Sequence, residues 1–174
     1  IVINKPQGVA VHPGIDNENN TIANYLKHYL LSKGEYDENI KRGGIVHRLD
    51  KGVGGVLLCA KNAKTQRELQ IKFENRELVK LYLATYESIS SPMVETELTY
   101  AEALEAFKNN GYKADEGWIK VSGKISRSRS DRRKMVIGSK GKECLSYVLP
   151  LKDGQVLINI LTGRMHQIRA TLNY

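Results

Sequence analysis

Two apolar runs, Cys144-Leu145-Ser146-Tyr147-Val148-Leu149 and Val156-Leu157-Ile158-Asn159-Ile160-Leu161, flank the dipeptide Asp153-Gly154. Both runs have the length and composition of β-strands, and Asp-Gly between apolar runs is typical of a hairpin turn. Met135-Val136-Ile137 is a further strand candidate just upstream. We therefore expect antiparallel neighbours in one sheet.

The rest of the chain adds strands and a few helices to this hairpin. Ile1 to Lys5 alternates before Pro6, and Lys80 to Tyr86 alternates so that Tyr82 and Ala84 share a face. Helical spacing predicts helices over 21–30, 62–75 and 100–110, with Thr21 or Asn20 and then Asn62 as N-caps. In the first helix, the apolar and aromatic positions are expected to pack in the core: Ile22, Tyr25, Leu26, Tyr29 and Leu30.

These elements show no repeat and no regular alternation of strand and helix, which favours an α+β fold with a mixed, mostly antiparallel sheet flanked by helices. A length of 174 residues suits one domain, so we expect a single domain over residues 1–174. No Met begins the sequence, so we expect the segment to be part of a longer chain, and we expect this domain to be incomplete at both ends.

The positive net charge of the chain favours polyanionic partners. No stretch approaches the roughly 20 apolar residues that would span a bilayer, and the net charge is +8. Positive charge is concentrated between Lys120 and Lys142, where Asp131 is the only acid. Such a run is either a solvated face or a nucleic-acid contact. Cys59 and Cys144 lie in separate apolar runs and are expected to be buried, reduced thiols in the cytoplasm.

Three segments combine polar groups with strand ends: His47-Arg48-Leu49-Asp50-Lys51, Lys80-Leu81-Tyr82, and Thr162-Gly163-Arg164-Met165-His166-Gln167-Ile168-Arg169. They resemble the HRLDK, K-x-Y-x-A and TGRxHQIR motifs of the RluA-type family of RNA pseudouridine synthases. The segments Asn4-Lys5-Pro6-Gln7-Gly8, His12-Pro13-Gly14 and Asp131-Arg132-Arg133-Lys134-Met135 are similar to further motifs of that family. The matches follow the family order over nearly the whole chain.

The resemblance implies an isomerase that breaks the C1′–N1 bond of uridine, rotates the uracil and rejoins it through C5, with no metal or other cofactor. A carboxylate can act as the covalent nucleophile at the sugar carbon or at C6 of the ring. By resemblance, that carboxylate is Asp50, Arg169 keeps it ionised and oriented, and Tyr82 stacks on the uracil and assists proton removal from C5.

The resemblance also assigns Arg48 to RNA binding, with a phosphate contact expected. We expect Arg129, Arg132 and Arg133 of the basic run to bind RNA as well. Arg164 is expected either to bind phosphate or to pair with a surface acid.

Other interpretations of these residues remain open. Asp50 could be a turn carboxylate, and Tyr82 could be a core aromatic. His47 and His166 could form an acid–base pair, although a structural role is the more ordinary one for His47.

The chain departs from the family pattern in two places. Val53-Gly54-Gly55 replaces the family's Thr-Ser-Gly, and two hydroxyls that could support the Asp50 loop are lost. The segment from Ser88 to Trp118 has no family counterpart that can be placed.

The sequence therefore predicts a monomeric enzyme that modifies structured RNA, with ribosomal RNA of the large subunit ahead of tRNA. The alternative is a non-catalytic RNA-binding or ribosome-assembly protein with the same fold. A metal-dependent nuclease is disfavoured, because Asp50 is the only acid in the first three motif segments.

Overall fold

The computed structural model describes residues 1–14, 18–85, 118–151 and 154–173. The chain divides into two compact units, Ile1–Leu78 and Val79–Tyr174. The single domain over residues 1–174 stays a prediction. Within the described residues, every helix is too short or too polar to span a lipid bilayer.

The first unit contains a two-stranded antiparallel sheet and short helices. Strand β1 (Val2–Lys5) pairs with β2 (Gly55–Leu58), so that Val2 lies opposite Leu58. Helix α1 (Ile22–Ser32), a 3-10 helix (Arg42–Gly44) and helix α2 (Ala63–Glu74) complete its regular structure. The predicted N-caps are confirmed, since Thr21 accepts the Asn24 N–H and Asn62 accepts the Thr65 N–H.

Helix α1 buries a narrower stripe than its sequence predicts. Ile22, Leu26 and Leu30 are buried, but Tyr25 is 57% exposed and Tyr29 is 46% exposed. The prediction that both tyrosines pack in the core is therefore wrong. Periodicity correctly identifies the residues that share a side of the helix, but the width of the covered stripe depends on its neighbours.

The second unit is built on a sheet of five described strands. In chain order they are β3 (Leu81–Thr85), β4 (Ile119–Arg127), β5 (Met135–Gly138), β6 (Lys142–Pro150) and β7 (Gln155–Ile160). Their spatial order is β3-β7-β6-β4-β5, and every neighbouring pair is antiparallel. Helix α3 (Gln167–Leu172) follows the sheet.

One face of this sheet is covered by α3. A buried cluster on that face, drawn from three central strands, packs against Ile168 and Leu172 of the helix: Val121, Val148, Val156, Ile158 and Ile160. Trp118, Leu149, Leu151 and Leu157 form a second buried cluster. In an antiparallel register opposed residues point to the same side, so Tyr82, opposite Ile158, lies on the α3 face.

The α+β class with a mostly antiparallel sheet is confirmed, as is the antiparallel pairing of β6 with β7. Asp153 of the predicted turn and the helix predicted over residues 100–110 lie outside the described residues. Strand β4 and helix α3 were not predicted. In β4, Val121 and Ile125 are buried while Lys120 and Lys124 are exposed, so a period-two pattern lay within the basic run.

Candidate active site

The segment from His47 to Lys51 lies in a loop that one buried side chain anchors. Leu49 is buried, whereas its neighbour Arg48 is exposed and Asp50 is half-buried. The Val53 N–H donates to the main-chain oxygen of Asp50 at 2.9 Å, closing a turn. Because the main-chain oxygen makes this turn bond, the Asp50 carboxylate is not needed to hold it.

His47 supports the loop from its N-terminal side. Its Nε2 accepts the Leu58 N–H of β2 at 2.8 Å, and its ring stacks on Phe73 with centroids 4.6 Å apart. An Nε2 that accepts a hydrogen bond carries no proton. This geometry agrees with the structural interpretation of His47.

The buried side chain of Lys5 also contacts the loop. Its side chain is 1% exposed, and its Nζ donates to the carbonyl oxygens of Pro6 at 2.9 Å, Val9 at 2.8 Å and Lys51 at 3.4 Å. Burial lowers the pKa of Lys5, and the negative charge of Asp50 partly opposes that shift. A buried ammonium therefore joins the start of the chain to the loop and lies within electrostatic range of Asp50.

Main-chain hydrogen bonds complete this framework. The Gly8 N–H donates to the Lys51 carbonyl oxygen at 2.8 Å, and the Ala60 N–H donates to that of Gly44, also at 2.8 Å. Gly44 has φ +87, and a Cβ there would come within 2.2 Å of the Ala60 oxygen. The loop is thus held by Lys5, His47 and the backbone, whereas the departure at Val53-Gly54-Gly55 had put its rigidity in question.

Tyr82 and Arg169 belong to the second unit, and both come from elements on the same face of its sheet. Tyr82 packs against the buried cluster of that face, and Arg169 is an exposed residue of α3. The packing agrees with Tyr82 as a core aromatic, and its role in chemistry stays a prediction. His166 is the N-cap of α3 and has a left-handed backbone, with φ 51 and ψ 28.

Gln167 organises the loop before α3. Its side chain is 2% exposed, and Oε1 accepts from Thr162 Oγ1 at 2.8 Å and from the Arg164 N–H at 3.0 Å. Its Nε2 donates to the Leu145 carbonyl at 3.0 Å and to Ser146 Oγ at 2.9 Å. One buried amide therefore fixes the Thr162–Arg164 segment to β6.

Arg164 itself is half-buried, and its Nε donates to the carbonyl oxygen of Glu143 at 2.9 Å. This bond to a main-chain oxygen orients the guanidinium, and it is neither of the two contacts that the sequence suggested. A phosphate contact remains a prediction.

Arg127 ends β4, and the other arginines of the basic run lie in the turn between β4 and β5; all of them are exposed. Arg133 pairs with Asp131 through two hydrogen bonds, Nε to Oδ1 at 3.0 Å and Nη2 to Oδ2 at 3.2 Å. These bonds lower the pKa of Asp131. Arg127 Nη1 donates to the Arg132 carbonyl at 2.8 Å. Part of the positive charge at Arg133 is therefore offset locally, whereas Arg129 and Arg132 are in none of the ion pairs between described residues.

The described residues include no group of three His, Cys, Asp or Glu side chains that could hold a metal ion. The predicted burial of Cys59 and Cys144 is confirmed, and both are free thiols.

The model of the family described as RNA pseudouridylate synthase matches residues 1–174. The chain belongs to that family. The resemblance drawn from the motifs is thereby confirmed.

Curated relatives agree with membership of the RNA pseudouridylate synthase family. The chain is 34% identical over 180 residues to ribosomal large subunit pseudouridine synthase D of Borreliella burgdorferi, covering 100% of the chain and 48% of the relative. It is 29% identical to the protein of the same name from Yersinia pestis, covering 100% of the chain and 46% of the relative. The chain thus spans about half the length of these relatives.

Two human structures show the same fold. Human RNA pseudouridylate synthase domain containing 4 aligns with a TM-score of 0.62 at 22% identity, covering 99% of this chain and 59% of that one. Human RNA pseudouridylate synthase domain containing 1 aligns with a TM-score of 0.61 at 24% identity, covering 98% of this chain and 59% of that one.

The motifs identified the family, but they did not reveal the roles of Lys5 and Gln167 within this member. Lys5 ends an alternating strand immediately before a proline, and a lysine at that position needs either solvent or acceptors. Gln167 lies between a basic and an apolar residue of its motif, and the arginines of that motif are the residues that suggest a function. Both side chains also bond to distant segments, Lys5 to the Lys51 carbonyl and Gln167 to residues 145–146, and the sequence carries no direct signal for these contacts.

Proposed function

We propose that the protein is an RNA pseudouridine synthase that isomerises specific uridines in structured RNA, with ribosomal RNA of the large subunit as its substrate. The observation that carries this proposal is the family match over residues 1–174, within which the motifs stand in family order. The names of the relatives support the substrate, since they are large-subunit synthases. A monomeric state and a cytoplasmic location are parts of the same proposal.

The proposed reaction is an isomerisation in which the C1′–N1 bond breaks and a C1′–C5 bond forms. The proton lost from C5 is balanced by one gained at N1, so no oxidant or reductant is needed. We assign the nucleophile to Asp50, whose half-buried carboxylate lies in a loop held by Lys5 and His47. A nucleophile on a rigid loop loses little orientational freedom when it attacks.

Tyr82 and Arg169 are proposed to complete the chemistry. Tyr82 would hold the uracil by stacking and assist proton removal from C5, and Arg169 would keep the nucleophilic carboxylate ionised. Their place on one face of the second unit's sheet is compatible with a joint role.

RNA binding is proposed for Arg48, Arg164, Arg129, Arg132 and Arg133. The exposure of Arg129 and Arg132 supports phosphate contacts. Arg133 would have to exchange or share its bonds with Asp131 to bind a phosphate.

Asp50→Asn tests the proposed nucleophile. The amide keeps the shape of the side chain but cannot form the covalent intermediate, so turnover should fall to below about a hundredth of wild type. Pseudouridine formation in large-subunit ribosomal RNA would be measured, with Glu38→Gln, an exposed carboxylate of the same unit, as the matched control.

Turnover by Asp50→Asn above about a hundredth of wild type would contradict the assignment. Binding of RNA without turnover, even by the wild type, would instead favour the non-catalytic alternative. A map of pseudouridines in cellular RNA with and without the gene would identify the substrate, because a single missing position names both the RNA and the uridine.

A further inference from the structure

Three basic residues of the first unit, His12, Arg42 and Arg48, come from separate segments of the chain. Contacts with the start of α1 bring two of these segments together. The Ala23 N–H donates to the Val11 carbonyl at 3.1 Å, next to His12. A Cβ at Gly43, which follows Arg42, would lie 3.0 Å from the Ala23 carbonyl oxygen. The chain neighbours of His12 and Arg42 therefore contact the same residue of α1.

Arg48 extends this group toward the candidate nucleophile. It is exposed, and it lies two residues before Asp50 in the loop that Gly8 and Lys51 join to the start of the chain. Burial lowers the pKa of His12, and the positive charges of Arg42 and Arg48 lower it further. Both guanidinium groups therefore lie within electrostatic range of His12.

Neither arginine of this group forms an ion pair with an acid in the described part of the chain. The ion pairs there involve Lys61, Lys72, Lys124 and Arg133, and neither Arg42 nor Arg48 takes part. Two guanidinium groups without a carboxylate partner repel each other and attract anions.

The backbone at Arg42 is unusual in the same place. Arg42 has φ +50, in the left-handed region that an arginine rarely adopts, and Gly43 and Gly44 follow with φ +64 and +87. The close approach of Gly44 to the Ala60 oxygen leaves this turn little freedom. A strained conformation held by its surroundings is characteristic of positions that present a side chain for function.

We propose that Arg42, together with His12 and Arg48, binds a phosphodiester of the RNA backbone beside the Asp50 loop. The inference rests on the proposed function for its ligand, and it adds Arg42 and His12 to the residues that contact RNA. A guanidinium suits a phosphate because its N–H groups match two oxygens at once. Such a contact would orient the RNA strand without reading its sequence.

The test measures binding of a fluorescein-labelled oligouridylate of about ten nucleotides at several salt concentrations. The protein carries Asp50→Asn so that the RNA stays unreacted. Arg42→Asn removes the guanidinium while asparagine tolerates the left-handed backbone. Loss of one phosphate contact should flatten the log–log salt slope by about 0.7 and weaken affinity about fivefold at about 0.1 M salt.

Two further variants separate charge from structure. Arg42→Lys keeps the charge and should retain most of the slope, whereas Arg67→Gln removes one exposed charge from α2 and should leave the slope unchanged. Circular dichroism of each variant checks that it is folded. An unchanged slope in folded Arg42→Asn would overturn the proposal.

Inorganic phosphate distinguishes a site for RNA from a site for the free ion. If phosphate raised the melting temperature of the wild type but not of Arg42→Asn, while the RNA salt slope stayed the same in both, the site would bind free phosphate and the proposal would fail. Pseudouridine formation by protein without the Asp50 substitution is assayed in parallel. Turnover combined with an unchanged Arg42→Asn slope would refute the phosphate site alone, whereas a flattened slope without turnover would refute the proposed reaction alone.

Discussion

Replacement of Lys5 by methionine removes the buried ammonium while keeping a side chain of similar length. In the native chain, Nζ makes two short bonds, at 2.8 Å to Val9 and 2.9 Å to Pro6, and a long one at 3.4 Å to Lys51. A hydrogen bond to a charged group contributes about 1.5 kcal/mol or more, so the two short bonds together contribute about 3 kcal/mol. Methionine avoids the cost of burying a charge, and we therefore expect the free energy of unfolding to fall by about 2–3 kcal/mol.

Urea titration followed by far-UV circular dichroism measures this change. Lys64→Met, which makes the same substitution at an exposed position of α2, is the matched control. For a chain of this size, the expected loss corresponds to a drop of about 5–10 °C in melting temperature. A midpoint for Lys5→Met equal to that of Lys64→Met would refute the idea that the hydrogen bonds of this ammonium stabilise the fold.

The pH dependence gives a second measurement on the same pair of proteins. Burial lowers the folded-state pKa of Lys5 below the ordinary value of 10.5, so between these two values the unfolded chain binds more protons than the folded one. Stability from this group therefore rises with pH through that window, and Lys5→Met should lack the rise. An identical dependence of stability on alkaline pH in Lys5→Met and Lys64→Met would contradict the assigned burial.

Three other predictions concern different parts of the fold. Gln167→Leu breaks four hydrogen bonds of a buried amide and should lower the free energy of unfolding by about 3–4 kcal/mol. Urea titration measures this loss, with Gln70→Leu at an exposed position as the control. Equal urea midpoints for the two variants would contradict the role of Gln167. The folded-state pKa of His12 lies below 6.5, so its contribution to stability falls as the pH drops from 6.5 through the lowered value. In melting experiments, His12→Gln should reduce this acid sensitivity, whereas the control His28→Gln should not. Equal acid profiles for the wild type and both variants would contradict this explanation. Burial raises the pKa of Cys59 to about 11 and also raises that of Cys144, so neither thiol should react with iodoacetamide in the native protein. Because the thiols lie in different units, a single domain predicts that both become reactive at the same urea concentration, whereas separate midpoints would show that the units unfold independently.

Much of the local structure could be predicted from the sequence, because its causes are local. The Thr21 and Asn62 caps are short polar side chains at the positions where helical periodicity begins, and each accepts a main-chain N–H three residues ahead. The alternation in β3 and the apolar runs of β6 and β7 likewise carry their own signal. The family motifs, which are contiguous in sequence, identified the candidate nucleophile without knowledge of its surroundings.

Elements whose stability comes from elsewhere were not predicted. Helix α3 has six residues and no side-chain N-cap bond, so it depends on packing Ile168 and Leu172 against the sheet rather than on its own propensity. The exposure of Tyr25 and Tyr29 likewise depends on which neighbours reach α1, since helical spacing alone shows only that they share a side with buried residues.

The support of the candidate site is a tertiary property for the same reason. The sequence of the first unit contains Lys5 and His47, but only the folded chain brings Lys5 to the Lys51 carbonyl and His47 to the Leu58 N–H. The RNA contact of Arg133 stays a prediction, and only the structure shows that the turn pairs this residue with Asp131. The sequence determined which chemical groups are present and which of them belong to family motifs. The tertiary structure decided their partners, because hydrogen bonds and charge interactions depend on distances of a few ångströms between segments far apart in the chain.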